Sequence, residues 1–207
     1  MTSRLRFGIR QLAVIGIVGV LASCATTRPV VTSVWTEPGK PAIYRHLVVI
    51  GVATTEKVER AYADQFIQSL QPQGVTADTS PALESALQRG RRTAIDKALA
   101  KTGADGVIIT HLVAESGKTA STGQPHTAAS QVLASDYAQI DHDVMQPDYY
   151  VHCQQLRLET SLYDARRKRL VWSGRSSPLA PDSEQTIGEI IAAVIAQLKQ
   201  NGYLPSR

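Results

Sequence analysis

The stretch that decides the fold is Leu47-Val48-Val49-Ile50-Gly51-Val52-Ala53. It is continuously apolar, it has the length of a strand, and it is rich in β-branched residues. Such a run is typical of a strand buried on both faces, as in a parallel sheet. The run Val107-Ile108-Ile109-Thr110-His111-Leu112-Val113 has the same character and predicts a second strand of this kind.

The residues between these two runs predict the helices that a crossover between parallel strands needs. A helix is predicted over 55–71, because its apolar residues fall on one stripe. A short strand is predicted near 75–77. Pro81 is suited to open a second helical region, which we expect to break near Gly90 and to resume through Leu99.

A hairpin is predicted in the C-terminal part of the chain. Along its first strand two sets of residues alternate, so we expect one buried face and one solvent-facing face. The two sets are Leu156, Leu158 and Leu162 on one side, and Arg157, Glu159 and Tyr163 on the other. The chain is expected to turn over 164–168, and Leu170 and Trp172 resume the apolar face.

The chain ends in the clearest predicted helix. Asp182 is a suitable N-cap with Gln185 three residues on, and Gly202 is placed to end the helix. An unbroken apolar stripe runs through Ile187, Ile190, Ile191, Val194, Ile195 and Leu198. These elements predict a single α/β domain over 44–204, with a mixed sheet of about five strands, helices packed on it and a C-terminal amphipathic helix.

Two segments lack a regular pattern. Residues 24–43 contain several prolines and are predicted to be an irregular tether. Trp35 within it either docks on the domain or places its amphipathic ring among lipid headgroups. Residues 115–149 are predicted to be a long loop, in which a short helix over 132–140 is an open alternative. Because binding residues concentrate on loops, we expect this segment to be the interaction element and not part of the core.

The amino terminus has the features of a secretory signal peptide. A basic region with three arginines is followed by an apolar run from Leu12 to Ala22. This run is too short to span a membrane. The run leads into Leu21-Ala22-Ser23-Cys24, which resembles the lipobox of bacterial lipoproteins. An ordinary secretory signal with a chance cysteine is the alternative.

The lipobox resemblance implies how the protein is processed and anchored. It implies that residues 1–23 are removed by cleavage between Ser23 and Cys24. It also implies a diacylglycerol on the thiol of Cys24 and an acyl chain on its new amine, with no other cofactor. By resemblance to lipoprotein sorting, Ala25 in place of aspartate implies the periplasmic face of the outer membrane.

The net charge limits the functional classes to which the protein can belong. The formal net charge is +4, and it falls to about +1 once the three arginines of the signal are removed. A near-neutral chain lacks the basic surface of a nucleic-acid-binding protein.

Because Cys24 is lipidated in this interpretation, Cys153 has no internal partner. We predict that Cys153 is a free thiol and a buried, small apolar side chain.

The sequence assigns no catalytic residue and no metal site. Gly117-Lys118-Thr119 follows a strand but lacks the first glycine of a phosphate-binding loop. His152 and Cys153 are neighbours, so on a strand they would point to opposite faces. His111 lies inside an apolar strand, where a hydrogen-bonded core histidine is expected.

Two charged stretches are the candidate partner-binding residues. Asp141, His142 and Asp143 lie in an acidic stretch over 136–148, but their spacing fits neither the usual zinc patterns nor the calcium loop. The second stretch is a basic run at the hairpin turn: Arg166, Arg167, Lys168 and Arg169. It is either a solvated turn or a patch for an anionic partner, such as phospholipid headgroups, lipopolysaccharide or an acidic protein.

The hairpin also carries a family resemblance. Glu159-Thr160-Ser161-Leu162-Tyr163-Asp164, followed by Leu170-Val171-Trp172-Ser173-Gly174, resembles a group of uncharacterised proteobacterial cell-envelope lipoproteins. Their domains are similar in strand order to the amino-terminal domain of TolB and to lipoprotein activators of penicillin-binding proteins. The resemblance implies a fold and a location, and it brings no catalytic residues.

Three functional hypotheses follow. The first is a lipid-anchored, non-catalytic envelope protein that binds or assembles with an envelope protein or an anionic envelope component. The alternative is a lipoprotein that binds a small ligand or a metal through the acidic loop 136–148. The third is an envelope hydrolase with a dispersed active site.

Overall fold

The computed structural model describes residues 30–115, 131–151, 153–178 and 187–206. The strands are β1 (Val31–Thr36), β2 (His46–Val52), β3 (Thr76–Asp78), β4 (Gly106–Glu115), β5 (Gln155–Asp164) and β6 (Arg169–Ser176). The helices are α1 (Glu56–Leu70), α2 (Pro81–Gln88), α3 (Arg92–Thr102), α4 (Leu133–Val144) and α5 (Ile187–Gln200). The strands form one mixed sheet in the order β1-β6-β5-β4-β2-β3, which confirms the α/β class and adds one strand to the prediction.

The parallel part of the sheet confirms the prediction from the two apolar runs. β2 pairs in parallel with β3 on one side and with β4 on the other. The chain passes from β2 through α1 to β3, and from there through α2 and α3 to β4. Gly90 lies between α2 and α3 with φ of 62°, a left-handed conformation that glycine adopts readily. The predicted helix break at this residue is therefore confirmed.

The hairpin of β5 and β6 is present, but the prediction of a solvent-facing side is wrong. Glu159 and Tyr163, assigned to that side, are fully buried like Leu158 and Leu162. The reason is that β5 lies in the interior of the sheet, paired with β4 and β6. Its second face is covered by a separate helical layer that includes α4.

The prediction of an irregular tether over 24–43 is wrong for the residues that form β1. Val31–Thr36 pairs antiparallel with β6 and forms one edge of the sheet. The prolines flank the strand, so they limit its length but do not prevent it. The side chain of Trp35 is half-buried against the core, which agrees with the first of its two predicted placements.

The prediction of a long loop over 115–149 is also wrong for part of that segment. Residues 133–144 form α4, and Leu133, Tyr137, Ile140 and Val144 are buried in the core. This segment is therefore a structural helix, as the open alternative allowed. The remainder of the predicted loop, over 116–130, lies outside the described residues.

Two buried clusters lie on opposite faces of the sheet. The first contains α1 and α5, and there the predicted stripe of α5 is confirmed, since Ile190, Ile191, Val194, Ile195 and Leu198 are all buried. The second contains α2, α3 and α4. Gly202 follows α5 with φ of 81°, as expected for a helix end. No helix in the described part of the chain is long and apolar enough to cross a membrane.

Candidate functional site

The surface of the domain carries two clefts of opposite charge. The first, here called the basic cleft, has a volume of about 740 Å³. Its walls are the start of α3, the start of α4 and the turn between β5 and β6. Its charged lining consists of four cations and one anion: Arg92, Arg167, Lys168, Arg169 and Asp96.

The structure places three residues of the predicted basic run in this cleft. Both guanidinium nitrogens of Arg167 donate to Glu37, at 2.8 and 2.7 Å. The ammonium of Lys168 donates to Asp96 at 2.7 Å. Arg169 has only a 3.4 Å contact to the Gln131 side-chain oxygen. Half of the run is thus neutralised, as in an ordinary surface turn.

Backbone hydrogen bonds fix two walls of the basic cleft to each other. The amide of Leu133 donates to the carbonyl of Lys168 at 3.0 Å, and the amide of Leu170 donates to the carbonyl of Gln131 at 2.9 Å. Gln131 and Lys168 both have positive φ, at 49° and 55°, which is uncommon outside glycine. The start of α4 is therefore held in place on the hairpin turn.

The second cleft, here called the acidic cleft, has a volume of about 450 Å³. It lies beside the end of β2, between α1 and α2. Its charged lining is Glu56, Glu59, Asp64, Glu84 and Arg60. Arg60 forms an ion pair with Glu56, four residues earlier on α1. Three carboxylates of the cleft are left without a cationic side chain among the described residues.

Two glutamates of the acidic cleft, Glu59 and Glu84, have a raised pKa. Partial burial raises the pKa of Glu59, of Glu84 and of the nearby Asp141, because desolvation disfavours the charged form. The charge of Asp141 adds to this effect on both glutamates. Ionisation of these carboxyl groups is therefore disfavoured relative to carboxyl groups in water.

The predicted acidic set does not converge on one point. Asp141, His142 and Asp143 occupy the last turn of α4, where successive residues point in different directions. The charge of Asp141 acts on Glu59 and Glu84 of the acidic cleft. His142 contacts Gln146, and Asp143 accepts from Gln139 at 2.8 Å. Within the described residues, no three histidine, cysteine or acidic side chains lie close enough to hold a metal ion together.

A buried polar row crosses the sheet and was missed by the sequence analysis. His111, Glu159 and Arg175 lie opposite each other on β4, β5 and β6. All three side chains are buried. Arg175 donates to Glu159 at 2.8 Å and contacts Glu115 at 3.3 Å, and Glu115 also accepts from Arg157 at 2.8 Å. The sequence signal that could have identified this row is the presence of charged residues within strands that are otherwise apolar.

The remaining predicted site residues are placed as follows. Cys153 is half-buried, not buried, and it is a free thiol. His111 is a buried strand histidine, as predicted. Ser23, Cys24, the segment 117–119 and His152 lie outside the described residues. Arg92 in the basic cleft was missed, because only the tertiary fold brings it to the hairpin turn.

No protein-family model matches the chain, and no curated protein matches it. Solved structures that align with it include a PelC dodecamer from Paraburkholderia phytofirmans, at 14% identity, a TM-score of 0.44 and coverage of 86% of this chain and 99% of that chain. A lipoprotein from Neisseria meningitidis aligns at 15% identity, a TM-score of 0.38 and coverage of 75% and 96%. A PDZ domain protein from Parabacteroides distasonis aligns at 10% identity, a TM-score of 0.39 and coverage of 89% and 39%. These alignments assign no activity or partner to this chain.

Proposed function

We propose that this chain is a lipid-anchored, non-catalytic protein of the bacterial outer membrane, which faces the periplasm and binds another envelope component. The observation that carries the proposal is the lipobox Leu21-Ala22-Ser23-Cys24. Its cysteine follows a basic region and an apolar run too short to span a bilayer. Two acyl chains together give stable membrane attachment.

The position of β1 supports a domain held near the membrane. Val31, the first residue of β1, comes seven residues after Cys24. Seven residues span at most about 25 Å when fully extended. The anchor therefore restricts the domain to the layer of periplasm beside the bilayer, with the β1 edge of the sheet nearest to it.

The arrangement of polar groups supports binding rather than catalysis. The buried ionic residues pair with one another inside the sheet, as Arg175 does with Glu159. The two clefts are each lined mainly by one sign of charge. One-signed clefts attract ligands of the opposite charge, whereas acid–base catalysis needs paired groups of different pKa.

Lipid labelling of Cys24 tests the anchor. Cells grown with radiolabelled palmitate should label the wild-type protein and the control variant Cys153→Ala equally. The variant Cys24→Ala should incorporate no label, because the acceptor thiol is gone. Continued labelling of Cys24→Ala would overturn the proposed anchor.

Membrane fractionation tests the location. The wild-type protein should sediment with the outer membrane on a sucrose gradient. Ala25→Asp should move it to the inner membrane, while Ala25→Asn should keep it in the outer membrane. An unchanged distribution for Ala25→Asp would contradict the proposed sorting.

Crosslinking in cells tests the binding role. A photoreactive amino acid at Ser135, an exposed residue lining the basic cleft, should capture an envelope component. The same group at Lys57, which is exposed on α1 away from that cleft, should not. Equal capture at both positions would contradict a specific binding surface.

A further inference from the structure

Two arginines in the basic cleft have no acidic partner. Arg92 lies at the start of α3 and Arg169 at the start of β6, and both are exposed. Neither has a carboxylate within ion-pair distance among the described residues, whereas Arg167 and Lys168 in the same cleft do. Their guanidinium groups therefore remain available to an incoming anion.

The cations that line the basic cleft repel one another. Its lining carries four cations and one anion, and Glu37 balances only Arg167 from outside it. Arg91 and Arg92 also lie at the start of α3, whose first turn has no acidic residue. Cations at this end of a helix are repelled by its dipole. An anion bound in the cleft would relieve both effects.

The two arginines are held on walls that do not depend on a ligand. Val132 and Arg169 form an isolated antiparallel bridge, which joins the start of α4 to β6. On the other wall, Asp96 of α3 is paired with Lys168 of the turn. Because both walls are fixed to the same turn, Arg92 and Arg169 approach one opening from two sides.

We propose that the basic cleft binds a phosphate group, held by Arg92 and Arg169 from its two walls. The guanidinium fork matches the geometry of phosphate oxygens and donates two parallel hydrogen bonds to them. The phosphate belongs either to the headgroup of an anionic phospholipid or to a soluble phosphorylated molecule. This inference rests on the proposed function as a binding protein and names the ligand class of that site.

Hydrogen exchange on the mature lipoprotein in phosphatidylcholine nanodiscs separates the two sources. Inorganic phosphate added to these discs should slow exchange over 92–96 and 132–135 if a soluble phosphate is bound. If only discs containing phosphatidylglycerol slow exchange there, the ligand is a lipid headgroup. No protection in either arm would overturn the proposal.

Single substitutions test the two arginines. Arg92→Ala and Arg169→Ala should each weaken binding of the effective probe on the order of tenfold, the effect of losing charge-assisted hydrogen bonds. Arg45→Ala is the matched control, because Arg45 is exposed and does not line the cleft. It should change the affinity less than about twofold.

Equal weakening in all three variants would overturn the proposal, since it would indicate attraction to net charge alone. Exchange rates in β2 and β4 should be unchanged in each variant, which shows that the fold is retained. Palmitate labelling of Cys24 is measured separately. If the wild-type protein is labelled but binds no phosphate group, this inference is rejected and the anchor stands. If it binds the phosphate group but Cys24 is not labelled, the anchor is rejected and this inference stands.

Discussion

The two layers of side chains on opposite faces of the sheet are built differently. The layer under α1 and α5 contains no buried charge among the described residues, and its polar groups are neutral, such as the hydroxyls of Thr110 and Thr160, 3.1 Å apart. The layer under α2, α3 and α4 contains four buried side chains that are ionic or titratable: His111, Asp136, Glu159 and Arg175. The basic cleft also opens on this second side. The layer under α1 and α5, here called the apolar layer, therefore supplies stability by burial. The layer under α2, α3 and α4, here called the polar layer, combines packing with specific polar pairing.

The largest expected effect is on the buried ion pair of the polar layer. Arg175→Met should cost about 3–5 kcal/mol in the free energy of unfolding, because it leaves the fully buried Glu159 without its guanidinium partner. The measurement is urea denaturation followed by circular dichroism. The double variant Glu159→Leu with Arg175→Met should recover much of the loss. A double variant as unstable as the single one would show that shape, not charge, dominates at this site.

The apolar layer should respond to lost volume. Ile191→Ala on α5 should cost about 2–5 kcal/mol, because Ile191 is fully buried and its truncation leaves a cavity. Val58→Ala on α1 is the control, since Val58 is 37% exposed, and it should cost less than about 0.5 kcal/mol. A small loss for Ile191→Ala in the same urea titration would mean that this layer is loosely packed.

A single hydrogen bond tests the polar layer more finely. The hydroxyl of Tyr163 donates to the buried carboxylate of Asp136 at 3.0 Å, which joins β5 to α4. Tyr163→Phe keeps the ring and should cost about 1.5–3 kcal/mol, the range for a hydrogen bond to a charged group. Tyr149→Phe, on a half-buried ring outside this contact, is the comparison. Equal losses for both would indicate a general effect of removing hydroxyls.

The smallest effect concerns the acidic cleft and depends on pH. A raised pKa in the folded state means that ionised Asp141 destabilises the fold, and that this penalty grows as pH rises above the ordinary carboxyl range. Asp141→Asn should therefore stabilise the protein by about 0.5 kcal/mol at pH 7, with no gain below about pH 4. Asp148→Asn, on an exposed turn, is the control and should change the free energy of unfolding by less than about 0.5 kcal/mol. A gain that is constant with pH would contradict the electrostatic cause.

The apolar layer could be predicted from the sequence, because each element carries its own periodicity. The stripe of α5 and the runs of β2 and β4 are local patterns, so they were identified without knowledge of their neighbours. The polar layer could not, because Glu159 looks like a solvent-facing residue until the second face of the sheet is covered. Likewise Arg92 and Arg169 are far apart in the sequence, and only the tertiary fold places both in the lining of one cleft.

The strand β1 has a consequence for the order of folding. Among the described strands it pairs with β6 alone, and Thr32 and Arg175, which bond across the two strands, are 143 residues apart. A loop of this length must close before the pairing forms, and such contacts are slow to form. The first described strand of the chain is therefore among the last to take its place in the sheet, and the edge beside β6 stays open until the hairpin has formed.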